Sequence, residues 1–227
     1  YGTKRNGNYE WTTYKQFAEK VNDLRGGLAS LGVSSGDKVA IISKNTEEWA
    51  VSAYATYGLC GQHIPMYETQ LAKEWEYIVR DCSAKILLVS NPTVLEQTLD
   101  FPERIDSLEH VVLISGSSSN EVKTYEDLLI TGRENPVQAQ QPDSDSPMGM
   151  IYTSGTTGDP KGVILSHRNI IFECLAVLPL LGMNENDRSL AFLPWAHVFG
   201  QVAEVHGLLN SGGSAGLVDD VNTLIEE

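Results

Sequence analysis

Tyr152-Thr153-Ser154-Gly155-Thr156-Thr157-Gly158-Asp159-Pro160-Lys161-Gly162 is the stretch that decides how this chain reads. Four hydroxyls, three glycines and one lysine fall within residues 153–162. Met148, Met150 and Ile151 precede it, and Val163, Ile164 and Leu165 follow it. The expected structure is a polar loop hung between two buried strands. Glycines let backbone N–H groups converge, hydroxyls donate to phosphate oxygens, and the lysine adds a full positive charge. Such a loop suits a polyphosphate held at close range. A plain hairpin turn with no ligand is the competing reading.

Two widespread phosphate-loop patterns do not fit. The pattern G-x-x-x-x-G-K-[ST] fails because Lys161 follows Pro160 and Gly162 stands where a hydroxyl is required. Val163-Ile164-Leu165 reads as a strand, so no helix N-terminus meets the ligand at the loop itself. The pattern G-x-G-x-x-G is absent as well.

Working outward toward the N-terminus, Thr13 and Gln16 form a capping box before Phe17, Val21, Leu24, Leu28 and Leu31. Their spacing predicts an amphipathic helix that Gly32 stops. Lys38–Ile42 reads as a strand. Asn45 is the expected cap of the next helix, with Glu48 at its third position. His63–Met66 is a short strand, 70–81 a helix, Ile86–Val89 a buried strand, 92–100 a weaker helix, and Val111–Ile114 a strand. Residues 132–147 are polar with three prolines and are expected to connect rather than pack. Beyond the glycine loop, Ser166 caps a helix carrying Ile170, Ile171, Cys174, Leu175 and Leu178. A strand at Leu190–Leu193, a helix near 199–210, a strand at 214–218 and a helix opening at Asp219-Asp220 follow. This alternation predicts an α/β fold: mixed, mostly parallel sheets covered by helices on both faces.

The chain has 227 residues and 41% hydrophobic content, which supports a packed core. Its formal net charge of −14 repels nucleic acid and anionic lipid. Lys161 is therefore a local device and not part of a basic face. Cys60, Cys82 and Cys174 match neither a zinc nor a disulfide pattern. Free thiols suit a reducing cytosol, so a cytoplasmic location is expected. No apolar run approaches membrane-spanning length, no signal peptide is visible, and membrane contact finds no support in these residues.

Tyr152–Gly162, extended through Val163-Ile164-Leu165-Ser166-His167-Arg168-Asn169, resembles the phosphate-loop motif of the adenylate-forming enzymes. These include acyl-CoA synthetases, luciferases and peptide-synthetase adenylation domains. Trp11-Thr12, Leu31-Gly32-Val33, Gly36-Asp37-Lys38, Glu48-Trp49 and Gly61 through Tyr67 are similar to the start of that fold. Phe192-Leu193-Pro194-Trp195-Ala196-His197-Val198-Phe199-Gly200 is similar to the family's next motif, in the style of long-chain fatty acyl-CoA synthetases. The resemblance implies activation of a carboxylate, here a fatty acid, by ATP with Mg²⁺ to an acyl-adenylate. Coenzyme A then takes the acyl group. It implies that Thr153, Ser154, Gly155, Thr156, Thr157, Gly158 and Lys161 hold the β- and γ-phosphates. Thr153 also meets the Mg²⁺, and His197 lies near the carboxylate and α-phosphate. A histidine simply packed between Trp195 and Phe199 is the competing reading. Phe199 and Gly200 either border an acyl pocket or pack the core.

The family's Gly-Tyr-Gly-x-Thr-Glu segment, its ribose-binding Thr-Gly-Asp segment and its small C-terminal domain are not found. The expected layout is thus an incomplete N-terminal domain of the acyl-CoA synthetase fold. Residues 1–131 form a first βα portion, 132–147 a connector, and 148–227 the loop and following βα units. On this reading the piece by itself is inactive, and exposed apolar surface opens a route to self-association. Two other readings compete. One is a short nucleotide-binding or interaction module without catalysis. The other is a hydrolase, because Gly212-Gly213-Ser214-Ala215-Gly216 fits G-x-S-x-G, although no histidine follows Ser214.

Overall fold

The structure is a computed structural model and describes residues 1–5, 7–117, 121–153 and 158–218. A seven-stranded sheet organises it, in the order β7(Lys123–Thr124), β6(His110–Leu113), β5(Ile86–Val89), β3(Lys38–Ile42), β4(Gln62–Met66), β8(Pro147–Thr153), β9(Lys161–Ser166). All neighbours run parallel except the terminal β8/β9 pair, which is antiparallel. A second, four-stranded sheet has the order β10(Arg188–Ala191), β11(Ser214–Leu217), β1(Gly2–Arg5), β2(Asn8–Trp11). It is parallel save for the β1/β2 hairpin, which the sequence analysis did not anticipate. The mixed, mostly parallel α/β class is as expected.

Strand alternation explains why both faces of the large sheet are covered. Val39, Ile41, Ile86, Leu88 and Val112 point into one core, with Leu24, Trp49 and Trp195. Ala40, Ile42, Leu87, Val89, Val111 and Leu113 point into the other, with Trp75, Ile78 and Phe101. A strand buried on both faces reads as a continuous apolar run for this reason. The first core is closed by α1(Tyr14–Ser30) and α2(Glu47–Tyr57), the second by α3(Ala72–Asp81) and the short helices α4(Pro92–Glu96) and α5(Phe101–Arg104). The single weak helix expected at 92–100 is thus two short ones, with Pro at the first or second position of each.

The Thr13/Gln16 capping box is present: Gln16 N donates to Thr13 Oγ1 at 3.2 Å, and Thr13 N to Gln16 Oε1 at 2.9 Å. The cap expected at Asn45 is one residue on, at Thr46, which accepts from Trp49 N at 3.2 Å. Asn45 is used elsewhere. Residues 132–147 also depart from expectation. Gly132, Arg133 and Glu134 belong to α6(Tyr125–Glu134), which packs on α1. Past the helix, Val137 O accepts from Arg25 Nε and Gln140 N donates to Gly58 O, each at 2.8 Å. The segment therefore crosses the surface on fixed tethers before entering β8.

A buried polar knot lies under α2. Ser52 Oγ donates to Trp49 O at 2.8 Å, so it accepts from His63 Nε2 at 3.0 Å. This fixes the tautomer and leaves His63 Nδ1 buried and unpartnered. His206 Nδ1 pairs with Tyr54 OH at 2.8 Å. Burial first, and the neighbouring His206 second, push the His63 pKa down to about 3. Burial first, and His167 second, push His206 down to about 4. Folded pKa values below the unfolded value mean that the unfolded chain binds more protons between about pH 6.5 and those values. Stability is accordingly full above pH 6.5 and is lost as pH falls. At pH 5 each histidine is expected to lower stability by about 2 kcal/mol relative to pH 7. Buried Glu204, whose pKa burial raises, offsets part of this. Urea unfolding at pH 7 and pH 5 checks it, and equal midpoints would refute it.

Candidate functional site

The glycine-rich loop joins β8 to β9, and the register pairs Thr153 with Lys161 across the ladder. Ser154, Gly155, Thr156 and Thr157 lie outside the described residues. Thr153, Gly158, Asp159 and Lys161 are described and all exposed. Gly158 has φ +133, and a Cβ there would meet nothing within 4 Å. Its glycine answers a backbone need and not crowding. Asp159, two positions before the lysine and also exposed, adds a carboxylate that the sequence reading did not use.

The base of the loop is braced. Tyr152 OH donates to Asp81 Oδ2 at 2.6 Å, at the C-terminal end of α3. Gly162, opposite Tyr152, gives that ring room, since a Cβ would sit 2.9 Å from Tyr152 Cζ. One expectation is corrected here. β8 is largely buried, but β9 is an exposed edge strand, with Val163 46% and Ile164 59% exposed. Edge position leaves its outer side uncovered by any described strand, so the apolar run did not signify burial.

Ser166 caps α7(His167–Leu181) through a box with Asn169, as expected for the cap. Arg168 holds the preceding turn through Asp145 and Ser144. His167 packs edge-on against Tyr57, at 5.5 Å between ring centroids.

His197 caps the short helix α8(Val198–Gly200), which runs into a π-helical turn, Gln201–His206, and then α9(Gly207–Ser211). The helix foreseen near 199–210 is thus interrupted by a wider turn of the kind found at functional sites. The His197 side chain is exposed, so the packed-core reading fails. Its Nδ1 accepts from Phe199 N at 3.2 Å. In the neutral ring this places the proton on Nε2, a donor with no hydrogen-bond partner among the described residues. Gly200 packs: a Cβ there would lie 2.4 Å from Pro194 O. Phe199 instead lines an apolar groove of about 590 Å³, with Leu165, Phe172, Val198, Val202 and Ala203.

Ser214 opens β11 after a helix, the reverse of a strand–turn–helix elbow, and its Oγ donates to Asp187 O at 3.4 Å. The hydrolase geometry is absent. Small residues there serve close approach, since a Cβ on Gly216 would meet Tyr9 at 2.8 Å. Among the described residues no cluster of three or more His, Cys, Asp or Glu forms a metal cage. No described helix is long and apolar enough to cross a membrane. The helix expected from Asp219-Asp220 lies outside the described residues.

The mostly parallel sheet thus carries the glycine-rich segment between β8 and β9, with the exposed His197 at a helix cap. Residues 3–227 match the family described as AMP-binding enzyme, and the chain belongs to this family of adenylate-forming enzymes. It is 32% identical over 222 residues to fatty acyl-CoA synthetase A of Dictyostelium discoideum, covering 93% of this chain and 33% of that protein. It is 31% identical over 216 residues to a long-chain-fatty-acid–CoA ligase of Mycobacterium tuberculosis, covering 92% of this chain and 36% of that protein. The chain thus spans about a third of the length of these curated relatives. Its fold matches an anthranilate CoA ligase crystallised with anthranoyl-AMP, with TM-score 0.87 and 24% identity over 99% of this chain and 43% of that one.

Proposed function

We propose that this chain carries the phosphate-gripping and carboxylate-facing part of an ATP-dependent fatty acid–CoA ligase. The pairing of Thr153 with Lys161 across the mouth of the β8/β9 loop is the observation that carries the reading. A hydroxyl and an ammonium flank a loop whose other proposed donors are Ser154, Gly155, Thr156, Thr157 and Gly158. ATP supplies the phosphoryl centre that the carboxylate attacks, with pyrophosphate leaving. Lys161 and the loop donors offset charge on the β- and γ-phosphates as it builds. The His197 Nε2–H donates to a carboxylate or α-phosphate oxygen. The apolar groove beside Phe199 takes the fatty acyl chain, and coenzyme A accepts the acyl group afterwards.

The donor set fits Mg²⁺ in one way. Mg²⁺ at phosphoryl-transfer sites takes one or two protein oxygens and completes its shell with phosphates and water. Thr153 offers such an oxygen. It is exposed at the loop mouth, with no competing carboxylate cage among the described residues.

Titration of the labelled chain with ATP, MgATP and AMP, followed by NMR, tests the reading. ATP is expected to shift resonances of Thr153 through Gly162 while AMP leaves them largely in place. Thr153→Val is expected to remove most of the difference between ATP and MgATP. A loop that ignores ATP and pyrophosphate at millimolar concentrations would overturn the proposal.

A further inference from the structure

His197 ends a loop, residues 192–197, that secondary structure alone does not hold. Two polar side chains hold it instead, one distant in sequence (Asn45) and one from the turn that follows (Glu204). Asn45 donates from Nδ2 to Leu193 O at 2.8 Å and accepts from Trp195 N at 2.9 Å. Glu204 takes three donors: Phe192 N at 3.1 Å and Leu193 N at 3.0 Å on Oε1, and the Trp195 indole Nε1–H at 3.0 Å on Oε2. We propose that Glu204 is a positioning residue for His197, acting through the three N–H groups it gathers from the 192–195 loop. The proposal rests on the reading of His197 as the group facing the substrate.

The energetic logic is specific. Glu204 is only 8% exposed and lies in the apolar run Val202-Ala203-Glu204-Val205. A buried carboxylate is costly, and a leucine would fill the space more cheaply. Three converging donors offset that cost only while the loop keeps one shape. Trp195 is itself wedged between Tyr1 and Trp49, with ring centroids 5.6 and 5.5 Å away. The carboxylate thus ties the loop to the aromatic core two residues before His197. The π-helical turn, with its extra residue per turn, directs Glu204 inward from a segment that begins four residues after His197. Gln201 N donates to His197 O at 3.2 Å, which joins the two ends of this short circuit.

Glu204→Gln is the discriminating variant. Its amide oxygen can serve the two backbone donors, but its NH₂ then faces the indole N–H, donor against donor. We expect hydrogen exchange at Phe192, Leu193 and the Trp195 indole to quicken by roughly 10- to 100-fold. The His197 imidazole resonances should move toward those of free histidine. Adding Trp195→Phe, which removes the opposed N–H, should return His197 to its position in the Trp195→Phe single variant. Glu204→Asp keeps the charge and draws it back by one methylene. It serves as the second variant should the glutamine not fold, and it should move the same resonances in the same direction. His197 resonances unchanged from wild type in both folded variants would overturn the proposal and leave Glu204 a packing anchor. Separately, wild-type chain is titrated with laurate and with ATP. A His197 that ignores both overturns the substrate reading, and with it the functional half of the proposal, whatever the variants show.

Discussion

Lys161→Ala is expected to weaken ATP and pyrophosphate binding by roughly 10- to 100-fold while leaving AMP nearly untouched, since a charged hydrogen bond contributes about 1.5–3 kcal/mol. Lys161 opens β9 opposite Thr153, on an exposed edge strand, and among the described residues its ammonium has no ion-pair partner. Its charge is therefore available for a ligand. Lysine at such a place acts as a compact point charge that follows phosphate oxygens without a fixed fork geometry. Lys161→Arg should accordingly retain part of the affinity, and Lys161→Met should behave as the alanine does. The salt dependence of ATP binding should also flatten in the alanine variant, because one charge no longer takes part. Calorimetric titrations with ATP, pyrophosphate and AMP at two salt concentrations read all of this. Affinities for ATP and pyrophosphate equal to wild type would remove Lys161 from the site. The surrounding surface does not supply the attraction, given the net charge of −14.

Local rules made much of the fold legible. The capping boxes at Thr13 and Ser166 are short-range devices, and each sits where its motif placed it. The buried parallel strands were readable because both of their faces are covered, which leaves an unbroken apolar run. The same rule misled at β9. Val163-Ile164-Leu165 is as apolar as a central strand, but sequence carries no mark of edge position. Asn45 failed for a related reason. It looked like a helix cap within its own neighbourhood, yet its amide spans to Leu193 and Trp195, about 150 positions away. Within the candidate site, the proposed loop residues and His197 declared themselves as motifs, while the side chains that brace them did not. Glu204 left one signal: a lone carboxylate inside an apolar run is either badly placed or holding something. Only the fold shows that it gathers the Phe192 and Leu193 amides and the Trp195 indole N–H.

Gly132→Ala is expected to destabilise the protein by about 3 kcal/mol or more, the upper end of what overpacking does. The reason is that α1 and α6 meet backbone to backbone. A Cβ on Gly132 would lie 1.7 Å from Asp23 O and 2.6 Å from Gly27 N, and one on Gly27 would lie 2.3 Å from Leu128 O. None of these atoms can rotate away, unlike a side-chain tip. Relief requires the helices to separate, which opens the core where Leu24 and Leu28 of α1 meet Leu128 and Leu129 of α6. The exposed Arg133–Asp23 ion pair at 2.8 Å cannot hold them together, since surface pairs contribute about 1 kcal/mol at most. Glu134→Ala, exposed two residues along the same helix, is the control and should stay within about 0.5 kcal/mol of wild type. Urea unfolding of both variants decides the matter, and a Gly132→Ala midpoint equal to that of the control would show that the close approach is not there. The expected consequence reaches the site. From α6 the chain runs over Arg25 and Gly58 directly into β8, whose last residue is Thr153. A displaced α6 therefore pulls on the strand that presents the loop, so ATP-induced shifts at Thr153 should shrink in whatever fraction of Gly132→Ala remains folded.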